Sequence, residues 1–145
     1  MIRQVSIFIE NHEGRLNNIL KILADNKINI RSLNIADATD FGIVRLILQD
    51  TEKGIEVLKR NEVITSITPV LAAEISDDPG GLSTLVDALT QAKINIIYAY
   101  SFLPKNTDNA IIIIRVDDEN QKQAITTLES VQGVNLLDRE TLLLK

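Results

Sequence analysis

Val5, Ile7 and Ile9 alternate with Ser6, Phe8 and Glu10, a period of two that predicts a strand with one buried face. The period then lengthens, and Leu16, Ile19, Leu20 and Leu23 mark one stripe of a helix. Residues 28–36 and 41–49 return to strand character on either side of the turn-like Asp37-Ala38-Thr39-Asp40. A second helix is expected from about Thr51, carrying Ile55 and Leu58, and residues 63–67 can supply a fourth strand. The order is βαββαβ.

That order occurs twice. Ala24-Asp25-Asn26-Lys27-Ile28-Asn29-Ile30 is echoed by Thr90-Gln91-Ala92-Lys93-Ile94-Asn95-Ile96, 66 residues later, and the same shift lays Gly14-Arg15-Leu16 on Gly80-Gly81-Leu82. Leu46-Ile47-Leu48-Gln49-Asp50 matches Ile114-Arg115-Val116-Asp117-Asp118 at a shift of 68, which predicts two extra residues in the loop at 104–109. The expected domains are 1–68 and 69–145, with Pro69 the only interruption between them. Because each helix follows a first or third strand, right-handed crossovers put both helices on one face of an antiparallel sheet. The fold class is α+β, ferredoxin-like. Val5, Ile7, Val44, Leu46 and Leu48 should face the helices. Units of this size bury little apolar area, so the two copies are expected to share an interface.

Composition narrows the chemistry. Hydrophobic residues make up 45% and charged residues 24% of the 145, enough Ile, Leu and Val to offset chain entropy in a packed core. A net charge of −5 provides no basic footprint for nucleic acid or for an anionic membrane. No apolar run approaches the ~20 residues of a membrane span, and the alternating start of the chain is unlike a leader peptide, so a cytoplasmic location is the default expectation. The absence of Cys and the single His exclude thiolate catalysis and leave no expected metal site or cofactor. No catalytic residue is assigned.

The turn between first strand and first helix is where a ligand would be held. In the second copy it reads Asp77-Asp78-Pro79-Gly80-Gly81-Leu82: acidic residues, a proline suited to a helix start and two glycines that let backbone approach closely. The first amides of a helix lack intrahelical partners and favour a carboxylate, while a side-chain oxygen of Asp77 or of Asn11 can accept from an ammonium. A zwitterion fits both. Simple helix capping by Asp77 or Asp78 would explain the same residues. Arg15 can meet a carboxylate or stand as a solvated helix residue, and His12 reads as an exposed loop residue.

The repeated βαββαβ order, the Asp77–Leu82 turn and Asn95 in Lys93-Ile94-Asn95-Ile96 resemble an ACT domain, a small regulatory module that commonly binds amino acids. The resemblance covers both copies and is nearest to stand-alone tandem ACT proteins. It implies a ligand between two ACT units, held by the loop of one (Asn11, Glu13, Gly14, Arg15 and Leu16, or Asp77, Asp78, Pro79, Gly80, Gly81 and Leu82) and by an Asn at the start of a second strand, Asn29 or Asn95. Glu13-Gly14 departs from the family's Pro-Gly, and Ile9 and Ile75 stand where a serine-sensing relative has His. The function implied is a non-enzymatic sensor of a free amino acid or similar small zwitterion. The alternative is a regulatory subunit acting on a biosynthetic enzyme through protein contacts. An acylphosphatase-like activity on the same topology would rest on Arg15 and Asn29, which are poorly placed for it.

The copies diverge on the second strand. Tyr98, Tyr100 and Phe102 alternate along one face where the first copy has Ser32, Asn34 and Ala36. On the side away from the helices they join Ile43, Ile47, Ile111 and Ile113, an apolar face that predicts burial in a homodimer. Tyr98 or Tyr100 could also wall the ligand pocket.

Overall fold

A computed structural model of the chain describes residues 1–36 and 39–145; Asp37 and Ala38 of the expected turn lie outside the described residues. The elements are β1 (Ile2–Glu10), α1 (Arg15–Asp25), β2 (Ile30–Ile35), β3 (Phe41–Leu48), α2 (Thr51–Arg60), β4 (Thr65–Ile75), α3 (Gly81–Gln91), β5 (Ile96–Phe102), β6 (Ala110–Val116), a 3-10 turn (Asp118–Asn120), α4 (Gln121–Glu129), β7 (Val134–Leu137) and α5 (Arg139–Leu144). They form two compact units, Arg3–Thr68 and Pro69–Lys145, the latter also taking in Met1–Ile2.

In the first unit β2, β3 and β1 are neighbours in antiparallel pairing, with Val5 opposite Leu46 and Ile7 opposite Val44. These four side chains are fully buried with Ile19 and Leu23 of α1 and Val57 and Leu58 of α2, so both helices cover one face. The second unit has the order β7-β4-β6-β5 and buries Ile112, Ile114 and Val116 against Leu85 and Leu89 of α3 and Ala124 and Leu128 of α4. This is the ferredoxin-like arrangement, twice. The β2–β3 connection spans 36–40 and its β5–β6 counterpart 103–109, so the two extra residues fall where the changed repeat shift put them.

The echoed Lys-Ile pairs are helix stops. Lys27 and Lys93 adopt left-handed backbone, φ 58° and 59°. The Lys27 and Ile28 amides donate to Ala24 and Leu23, and the Lys93 and Ile94 amides to Thr90 and Leu89, each at 2.9 Å. That is a Schellman closure, with Ile28 packed beside Leu23 and Ile94 beside Leu89 in their cores. The preceding helices are thus ended by main-chain bonds, joined at α1 by the Asn26 side chain, which donates to the Ile22 carbonyl at 2.8 Å.

Three features depart from the pattern. The fourth strand expected at 63–67 does not end before Pro69: β4 starts at Thr65 and runs through the proline to Ile75, so it also serves as the first strand of the second copy. The helix α5 follows β7 and has no counterpart in the first copy, whose chain continues along β4 instead. The apolar face opposite the helices is also largely covered within the single chain: Ile47, Phe102, Ile111 and Ile113 are each at most 2% exposed. They need no second subunit, and the homodimer argument built on them lapses. In the second unit α5 lies on that face, with Leu142 fully buried and Lys145 reaching Glu74.

Candidate functional site

The chain caps some of its helices with aspartate. Asp50 accepts from the Lys53 amide at 3.1 Å at the start of α2, and Asp138 from the Thr141 amide at 2.8 Å at the start of α5. These first turns also carry Glu52 and Glu140. The Thr141 amide and hydroxyl hold the Asp138 carboxyl below its ordinary range, so a carboxylate at such a helix start is stabilised here.

At α1 and α3 the design differs. Their N-caps are Gly14 and Gly80, in left-handed backbone at φ 80° and 94°, and no side chain among the described residues caps either helix. Neither first turn holds an acidic residue. The expected capping by Asp77 or Asp78 does not occur, because the Asp78 carboxylate accepts from the Ser76 hydroxyl and its carbonyl from the Gly81 amide at 3.0 Å. Asp77 is exposed. A Cβ on Gly81 would overlap the Ser76 carbonyl oxygen, whereas one on Gly80 would meet nothing. The close approach that requires a glycine is therefore the loop's own closure. Thr84 braces it further, its amide and hydroxyl donating to the Gly80 carbonyl at 3.0 and 3.1 Å.

Each glycine loop borders a cavity. The one in the second unit has a volume of about 330 Å³ and takes Asp78, Pro79, Gly80 and Gly81 from the expected residues. Its other walls, Ser76, Thr84, Gln132, Gly133 and Val134, were missed. The signal for the last three was the Gln132-Gly133 turn: β7 pairs Val134 with Ile75, which brings the turn beside the loop. The cavity in the first unit, about 420 Å³, takes Glu13, Gly14 and Arg15 together with Glu10, His12 and Asn18. There His12 Nε2 lies 3.1 Å from the Glu10 carboxylate, and Nδ1 lies 3.0 Å from the Glu13 carbonyl. The Asn11 amide donates to the Asp40 carbonyl at 2.8 Å and its side chain to the Thr39 carbonyl at 3.2 Å, tying the loop to the β2–β3 connection.

Other expected residues stand elsewhere. Leu16 packs against the core of its unit, while Leu82 is half exposed. Asn29 and Asn95 are exposed at the far ends of α1 and α3; an 11-residue helix is about 16 Å long, so neither reaches the glycine loop of its own unit. Tyr98 and Tyr100 of β5 stack at 6.4 Å between ring centroids, opposite Arg115 and Ile113 of β6, and do not line the second cavity.

Two βαββαβ units, each presenting an uncapped helix start beside a glycine loop, define the class of tandem ferredoxin-like α+β proteins. The family model for the ACT domain pair matches residues 1–142, and the chain belongs to that family. The structure of protein BT0572 from Bacteroides thetaiotaomicron is 34% identical, with a TM-score of 0.88 over 98% of this chain and 95% of that one. The ligand-free regulatory subunit of aspartate kinase from Thermus thermophilus shares the fold at 12% identity, with a TM-score of 0.63 over 90% and 91% of the two chains. Its counterpart from Thermus flavus does so at 14% identity, with a TM-score of 0.59 over 86% and 88%. A search of curated proteins finds no match.

Proposed function

We propose that this ACT pair is a non-catalytic sensor that binds a free amino acid, or a similar small zwitterion, at its glycine loops. One observation carries the reading. The two helices that start at the glycine loops have neither an aspartate cap nor an acidic first turn, while α2 and α5 have both; α4, which also lacks both, starts from the acidic 3-10 turn Asp118–Asn120 and not from a glycine loop. A ligand carboxylate would take the place that Asp50 and Asp138 occupy elsewhere in the chain, a preference of ~0.3–1 kcal/mol from the helix dipole and ~1.5–3 kcal/mol from a charge-assisted hydrogen bond.

In the second loop Asp77, exposed and free to turn, would receive the ammonium. Asn95 is too far along α3 to help its own loop and is left out of that loop's site. The aspartate kinase regulatory subunits, similar in fold over nearly their whole length, support a second role in which the ligand-bound chain acts on a biosynthetic enzyme.

The test is a thermal-shift screen of the twenty amino acids. A ligand at about 100 times its dissociation constant adds ~2.7 kcal/mol to stability, easily read as a rise in Tm. A screen in which no amino acid moves Tm overturns the proposal.

A further inference from the structure

The two copies can be laid on one another across the sheet face that turns away from the helices. In the second unit Glu74 sits on that face opposite Ile111 and is buried. Thr107 Oγ1 donates to its carboxylate at 2.8 Å, Asn109 Nδ2 at 3.3 Å and Lys145 Nζ at 3.1 Å. Asn106 Nδ2 donates to the Leu144 carbonyl at 2.6 Å. This polar clasp holds α5 down, with Leu142 fully buried.

The first unit has the same register, Phe8 opposite Ile43. At the shifts of 66 and 68 residues that relate the copies, Phe8 stands where Glu74 does, Phe41 where Asn109 does and Ile43 where Ile111 does. Polar groups have been exchanged for aromatic rings, and those rings are 56% and 68% exposed. No α5 follows, because the chain runs on along β4. An aromatic pair left open to water where the sister copy anchors the end of α5 through Lys145 is an unfilled version of the same seat.

We propose that the Phe8–Phe41–Ile43 face of the first unit is a docking surface for a short amphipathic helix of another protein, seated as α5 is on the second unit. This does not depend on the ligand reading above. The repeat supplies the occupant's chemistry. A leucine belongs where Leu142 stands, and an apolar residue where Lys145 stands, because Phe8 offers no carboxylate to an ammonium. Glu10, exposed and opposite Phe41, favours a basic residue on the occupant's flank. A second copy is a poor occupant, since its α5 is already clasped on its own sheet.

The test is an NMR titration of the full chain with two stapled helical probes of about 14 residues, long enough to hold a helix. One probe is leucine-faced throughout, and the other carries lysine at the position matching Lys145. The native chain should bind the leucine probe at least about tenfold more tightly, with shifts centred on Phe8, Phe41 and Ile43, because burying an unpaired ammonium is costly. The variant Phe8→Glu/Phe41→Asn copies the second unit and should reverse that preference while melting within a few degrees of wild type; if it fails to fold, Phe41→Asn alone should weaken the leucine probe. Shifts centred away from this face, an unreversed preference in the folded double variant, or undiminished binding to a folded Phe41→Asn would overturn the proposal. So would self-association in light scattering that Phe8→Glu abolishes, which would make the occupant a second copy.

Discussion

Replacing Gly81 by alanine separates obstruction from strain when set beside the same change at Gly80. A methyl at 81 overlaps the Ser76 carbonyl oxygen, which is main chain and cannot swing aside, so the 76–81 loop has to open. Overpacking of this kind costs ~1–3 kcal/mol. At roughly 3–5 °C per kcal/mol for a chain of this length, Tm should fall by roughly 3–15 °C. A methyl at 80 meets no atom within 4 Å, and its cost is the left-handed backbone alone, ~1–2 kcal/mol. In calorimetry with the best amino acid from the screen, Gly80→Ala should keep most of its ligand-induced rise in Tm and Gly81→Ala should lose it. The first copy has Arg15 at the equivalent position, its amide making the same turn bond to the His12 carbonyl at 3.4 Å, so a side chain is already accommodated there and that loop's own ligand response should be untouched. Gly81→Ala melting with wild type and responding fully to ligand would show that the tight closure is irrelevant to the site.

Other consequences are measurable. Removing either charge of the preferred amino acid, as its decarboxylated amine or its N-acetyl derivative, should weaken binding at least about tenfold in titration calorimetry, because each charge-assisted hydrogen bond contributes ~1.5–3 kcal/mol. Burial pushes the Glu74 carboxyl up, but hydrogen bonds from Thr107, Lys145 and Asn109 and the charge of Lys145 outweigh it and hold it below its ordinary range. A depressed carboxyl contributes stability that is present above its unfolded pKa and lost as pH falls through the folded one. Glu74→Gln should therefore destabilise by ~1–3 kcal/mol at pH 7 and by less near pH 3, as followed by urea melts at both pH values. Lys93→Gly, which relieves left-handed backbone at a helix stop, should stabilise by about 0.5–1 kcal/mol in the same melts.

The elements were legible because their signals are periodic and occur twice. The stripe of Leu16, Ile19 and Leu23 and the alternation of Val5, Ile7 and Ile9 specify which face is buried, and Val44 and Leu46 follow from register. The helix stops were visible as an echo, but their cause was not. Lys in left-handed backbone carries no mark in a single sequence, and the Schellman bonds are made by main chain. In the loop, glycine, proline and aspartate announced a helix start but not which carboxylate would cap it. Asp78 is occupied by Ser76, a side-chain hydrogen bond that no spacing rule reports. Gln132 and Thr84 were missed because they join the cavity through strand register and helix pitch. The outer face was misjudged for a different reason: α5 is six residues long, too short for a periodic signal, so nothing announced that the second unit buries Leu142 and ties Lys145 to Glu74.

The glycine caps at α1 and α3 bear on motion as much as on binding. A helix whose first amides are capped by no side chain opens there at low free-energy cost, on the scale of the ~1 kcal/mol that a good cap supplies. On the proposed reading, a ligand that completed the turn would quiet any fraying at the start of α1 or α3 without displacing a strand. Occupancy is then written as a loss of local disorder at the helix start, and anything that docks on the quieted turn meets a surface already ordered. The response would be invisible in a comparison of mean coordinates and plain in amide exchange at Leu82, Ser83 and Thr84.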